Sequence, residues 1–140
     1  MYNSIRIDHI AAMFVTIFYT HSFLTSLFFT IVVETTLLYV LLRFIIRQPD
    51  LSSFKIIATG FFANFMTVPY VWFIFPTIID WSRNTSLLYS EPFVFLVEAV
   101  IYRIYLKTSM RTALFVSLVC NAASYFIGPI LRAHGIWVYW

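Results

Sequence analysis

Four apolar segments, each of bilayer-spanning length, leave this chain few ways to fold. They cover roughly residues 26–47 (segment A), 54–76 (B), 91–108 (C) and 111–132 (D). A span needs about 20 predominantly apolar residues. In lipid such segments satisfy their backbone polar groups only as helices or closed barrels, and runs of this length read as helices. Composition supports the same class. The charged fraction of 11% is less than half that of an ordinary soluble domain, and 61% of residues are hydrophobic, more than a water-soluble fold of this size can hide.

The breaks between segments carry their own chemistry. Pro49 ends A, and Asp50, Ser52 or Ser53 can cap B by accepting its free N–H groups. Thr108 and Ser109 alone separate C from D. Ser90-Glu91-Pro92 is expected to open C, with Ser90 as N-cap and Pro92 in the first turn, and Gly128-Pro129 to disturb the end of D. Ahead of A, the apolar stretch from Ile10 to Tyr19 is short and is followed by Thr20-His21-Ser22 and Thr25-Ser26. It is read as a short interfacial or re-entrant helix, in preference to the first leg of a longer helix or a fifth span. Residues 1–8 lack the charge pattern and cleavage site of a signal peptide.

The expected fold is therefore an all-α integral membrane domain over residues 1–140. It holds four transmembrane helices as two tandem hairpin repeats, about 26–76 and 91–132, plus the short N-terminal helix. The repeat shows in the residues. Val33-Glu34 begins a stretch reaching Arg43 nine positions after the acid, and Val97-Glu98 begins one reaching Lys107 at the same interval. Each stretch precedes a segment with a single Asn, Asn64 or Asn121, followed three residues later by Thr67 or Ser124. At about 1.5 Å per residue, the acids and amides lie roughly 13–15 Å from their basic anchors, near mid-depth in a core about 30 Å thick. Two hairpins of like orientation are related by an axis along the membrane normal.

Arg43, Arg47 and Lys55 flank one turn, and Arg103, Lys107 and Arg111 the other, against Arg6, Arg83 and Arg132 on the opposite side. The excess places the A–B and C–D turns in the cytoplasm and both termini across the membrane. Trp72, Trp81, Trp137 and Trp140 then form an outer aromatic belt. Small residues at helical spacing, Gly60, Ala63 and Thr67 on B with Ser117, Cys120 and Ser124 on D, mark B and D as an inner pair onto which A and C deliver their acids.

An ionised carboxylate facing lipid costs at least a few kcal/mol, so Glu34 and Glu98 are expected to face the bundle interior. The candidate polar centre is Glu34, Asn64, Thr67, Glu98, Asn121 and Ser124. Its ordinary role is to fix helix register through Glu34–Asn64 and Glu98–Asn121 hydrogen bonds, each of about 0.6 kcal/mol. Its functional role would be a proton, cation or polar-solute site.

The remaining candidates point elsewhere. His9, His21 and His134 lack ligand spacing, one Cys builds no metal site, and no basic cluster suggests nucleic acid. Hydrolase, phosphate-loop and zinc motifs are absent. The sequence thus suggests no cofactor, no metal and no catalysis. It suggests a small membrane protein acting as a non-catalytic subunit or packing partner, in a homo-oligomer or a larger membrane complex. The second reading is a minimal proton- or cation-coupled transporter using the Glu/Asn quartet.

Overall fold

The computed structural model describes residues 2–78 and 83–135, and these are helical apart from the connecting turns. Helix α1 runs Tyr2–Val40 and continues as a π-helical turn, Leu41–Ile45. Helix α2 is Ser53–Pro69, extended by a π-helical segment, Tyr70–Ile74, and a single turn α3, Phe75–Ile78. Helices α4, Arg83–Tyr105, and α5, Met110–Ala133, complete the order. Three helices are long and apolar enough to cross a membrane: Val15–Ile45, Ser53–Thr77 and Met110–Ala133. Helix α4 has 23 residues, which at about 1.5 Å each also matches a hydrocarbon core.

Two expectations are corrected. No separate short helix precedes segment A, because α1 is continuous. Neither Pro nor Gly occurs between Tyr2 and Arg47. The hydroxyls that looked like an interruption bond back into the helix instead, Thr20 to Thr16 O, Ser22 to Phe18 O and Thr25 to His21 O, each at 2.8 Å. Nor does Ser90 cap a helix. Helix α4 begins earlier, so Pro92 lies inside it, as Pro69 and Pro129 lie inside α2 and α5. Each costs a single N–H, a loss that helices packed by neighbours tolerate.

The two short turns are built alike. Arg47 (φ 58°) and Lys107 (φ 55°) take left-handed backbone conformations that stop α1 and α4. Arg43 then donates to Pro49 O (3.2 Å) and Ser53 Oγ (3.0 Å), and Arg103 to Thr108 O (2.7 Å). Ser52 Oγ accepts from Lys55 N (3.2 Å) and Ser109 Oγ from Thr112 N (3.1 Å), capping α2 and α5.

The helices form a ring. Helix α1 packs against α2 and α5, and α4 packs against α5 and α2. This places α2 and α5 across a diagonal, so B and D are not an adjacent inner pair. The core below the acids, on the side of the turns, contains Leu38, Leu42, Ile56, Tyr102, Leu106 and Val116. Buried positions recur with a strict period. On α1 and its extension they include Ser22, Ser26, Thr30, Glu34, Leu38 and Leu42, and on α4 Ser86, Ser90, Val94, Glu98, Tyr102 and Leu106. The two series coincide on a shift of 64 residues. On α2 and α5 a shift of 57 superposes Ile56, Thr59, Gly60, Ala63, Asn64 and Thr67 on Ala113, Val116, Ser117, Cys120, Asn121 and Ser124. Large apolar side chains cover the outside, Phe28, Phe54, Leu88 and Phe126 among them.

Asp80, Trp81, Trp137 and Trp140 lie outside the described residues, as do the side chains of Arg6, His9 and Arg83.

Candidate functional site: a buried carboxyl pair

The four-residue period of α1 and α4 points Glu34 and Glu98 into the ring, and both are fully buried, at 1% and 0% exposure. Their carboxyl groups lie within each other's electrostatic reach. Asn64, Thr67, Asn121 and Ser124 are buried around them. All six residues expected at the polar centre are therefore brought together.

Their pairing runs between neighbouring helices of different hairpins as well as within the second hairpin. Glu98 accepts from Thr67 Oγ1 through Oε1 (3.0 Å) and from Asn121 Nδ2 through Oε2 (2.6 Å). Glu34 Oε1 accepts from Ser124 Oγ (2.6 Å). The expected Glu98–Asn121 bond is present. For Glu34 the hydrogen bond in place comes from Ser124 of α5, while the Asn64 amide donates to Gly60 O of its own helix (3.0 Å) and keeps a second hydrogen within reach of Glu34. Asn121 makes the corresponding bond to Ser117 O (3.0 Å), and Ser117 Oγ donates to Phe95 O (2.9 Å).

Two hydroxyls stand between alternative acceptors. Thr67 Oγ1 lies 3.0 Å from Glu98 Oε1 and 3.0 Å from Ala63 O. Ser124 Oγ lies 2.6 Å from Glu34 Oε1 and 3.0 Å from Asn121 O. A hydroxyl has one hydrogen and two acceptor lone pairs. Turned toward the acid, it donates to a carboxylate. Turned toward the backbone carbonyl, it can accept from a protonated carboxyl. The site can therefore hold either form of each acid without moving a helix.

Several polar atoms are buried at the centre without a hydrogen-bond partner: Glu34 Oε2, Asn64 Oδ1 and Tyr102 Oη. Tyr102 lies one turn below Glu98, within its electrostatic reach. Among the described residues, no cationic side chain acts on either acid. Two carboxyls buried without a counter-charge among the described residues are costly.

The surroundings of the pair differ on its two sides. Toward the turns, the space between Leu38, Leu42, Tyr102 and Leu106 leaves no room for a water molecule. Away from the turns, Ser22, Ser26, Thr30, Ser86 and Ser90 continue the same helix faces. Ser26 Oγ, Thr30 Oγ1 and Ser86 Oγ are buried without partners. Unpaired hydroxyls at such a place are costly unless water or a passing ion completes them.

Sequence reasoning did not single out this hydroxyl series, or Tyr102. The signal was available: Ser22, Ser26 and Thr30 precede Glu34 at intervals of four, and Ser86 and Ser90 precede Glu98 at the same register. His21 and His134 are exposed and belong to no site, with His134 Nδ1 lying 2.8 Å from Ile130 O. No group of three or more metal-ligating side chains occurs among the described residues. No family model, curated protein or solved structure matches the chain.

Proposed function

We propose that this chain is a polytopic membrane protein whose central carboxyl pair takes up and releases a proton or a small cation, as the coupling site of a minimal transporter. The carrying observation is the pair itself: two fully buried acids within each other's electrostatic reach and with no cationic partner among the described residues, each beside a hydroxyl able to serve either protonation state. A pair kept only for register would not need two uncompensated acids, since amides specify register at lower cost.

In this reading α4 is a fourth span. The chain is two tandem hairpins, about residues 26–76 and 91–132, related by an axis along the membrane normal. The matched burial series support the arrangement, as do the exchanged bonds Glu34–Ser124 and Glu98–Thr67, which interconvert under the two shifts. The turns lie on the cytoplasmic side with their six cationic residues. The hydroxyl series then leads to the acids from the opposite face, and the leucine and tyrosine layer closes the cytoplasmic side. No covalent chemistry is proposed for the site.

A second reading, a packing subunit in a homo-oligomer or larger membrane complex, draws on that tightly packed layer, where the space between Leu38, Leu42, Tyr102 and Leu106 admits no water. Flux in proteoliposomes separates the two. Under a proton, sodium or potassium gradient, vesicles containing the protein should exceed protein-free vesicles, and Glu34→Gln with Glu98→Gln should reduce flux at least tenfold while the helical signal and elution volume hold. No flux from the unmutated protein under any of these gradients would leave the packing reading.

A further inference from the structure

A groove of about 590 Å³ opens between α4 and α5. Leu88, Phe95, Leu118 and Phe126 give it apolar walls, and Glu91 and Asn121 are its principal polar side chains. The volume is that of a small-molecule site, in which apolar walls and a few placed polar groups are the usual combination.

Two lining positions of the groove are smaller than their counterparts in the first hairpin. Pro92 and Ala122 line it. At the corresponding places, 64 and 57 positions earlier, stand Phe28 and Phe65, and Phe65 stacks on Phe61 at 6.0 Å. The position matching Glu91 is Leu27, which is buried. The acid therefore belongs to the second hairpin alone.

Glu91 is half-buried, and its side chain has neither a hydrogen bond nor a counter-charge among the described residues. It lies two turns before Glu98 on the same helix, about 10 Å along the axis. Asn121, which lines the groove, is the residue that holds Glu98 Oε2. A lone acid in an apolar groove open to acyl chains is neutralised by a proton or by a positive partner, and the groove has room for the second. A bare metal ion is a poor one, because it needs a cage of oxygen ligands that these walls do not supply.

We propose that this groove binds a membrane-soluble organic cation, an alkylammonium whose nitrogen pairs with Glu91 and whose tail lies along Phe95, Leu118 and Phe126. The inference rests on α4 and α5 lying in the bilayer, as proposed above, and not on ion exchange at the central pair.

The test is titration of the purified full-length protein, in an uncharged maltoside detergent, with the fluorescent cation trimethylammonium-diphenylhexatriene. Binding should saturate at one site per chain and be displaced by dodecyltrimethylammonium but not by dodecanol. Glu91→Gln and Ala122→Phe, the latter refilling the groove, should each weaken it at least tenfold, with Glu91→Asp retaining part of the affinity. Glu34→Gln with Glu98→Gln should retain saturable binding at one site per chain, whatever the flux result. Undiminished binding by Glu91→Gln, or equal binding of uncharged diphenylhexatriene, would overturn the proposal. Loss of binding in the Glu34/Glu98 variant would place the ammonium at the central acids and overturn the assignment to Glu91.

Discussion

Thr67 and Ser124 each hold one hydrogen between a carboxyl oxygen and a main-chain carbonyl. Hydrogen bonds of this kind inside membranes are worth about 0.6 kcal/mol, so their removal should scarcely change stability. Thr67→Val with Ser124→Ala is expected to leave the thermal midpoint in detergent within a few degrees of the original and to cut flux severalfold. A large fall in the midpoint with flux unchanged would assign these hydroxyls to packing. Tyr102 offers the converse case. Its hydroxyl is buried without a partner, and leaving such a group unsatisfied costs about 1–3 kcal/mol. Tyr102→Phe should therefore raise unfolding free energy by about 1 kcal/mol, measured by denaturant titration in detergent. A loss of stability would show that the hydroxyl has a partner in the folded protein.

Between elements, α1 lies closely against α2 at Gly60. A Cβ there would fall 2.9 Å from Thr35 Oγ1, 3.0 Å from Leu38 Cδ2 and 3.2 Å from the Thr35 Cα. The Thr35 main chain cannot swing aside as a flexible side chain could. Gly60→Ala is expected to cost about 1–3 kcal/mol through overpacking, read as a lower unfolding midpoint; an unchanged midpoint would mean the two helices separate freely. Element limits were legible where the local chemistry was unambiguous. Segment D, expected over 111–132, is Met110–Ala133, and Ser52 and Ser109 cap where a serine after a helix stop should. The limits of α1 and α4 were not legible. Thr20, Ser22 and Thr25 read equally as a break or as residues bonding back to their own helix, and nothing local decides between these. Ser90-Glu91-Pro92 likewise suits a helix start, yet a Pro inside a packed helix is tolerated, and α4 runs through it. The six site residues could be chosen from sequence because acids and amides are rare at mid-depth. Of their partners, Asn121 for Glu98 could be chosen too, but the bonds between hairpins could not. Glu34 meets Ser124 because α5 lies beside α1, and ring order is a long-range property that no segment encodes alone.

At the scale of the whole molecule, the two halves share a buried pattern but differ in what surrounds it, with a groove beside the second hairpin carrying an acid where the first has Leu27. The charge distribution predicts that cysteines placed in the turns, at Asp50 or Ser109, react with membrane-impermeant maleimide only after cells are opened. In the opposite arrangement they would label on intact cells, and the hydroxyl series would then face the cytoplasm. The account as a whole depends on Glu34 and Glu98 exchanging a proton or cation at the centre of the ring. Infrared difference spectroscopy of reconstituted protein, stepped in pH and in cation concentration, observes that exchange at the carboxyl groups. The expected result is a reciprocal change in the carboxylic acid and carboxylate bands that disappears in Glu34→Gln with Glu98→Gln. Carboxyl bands that show no component dependent on these two residues, under any pH or cation step that leaves the protein folded, would contradict it.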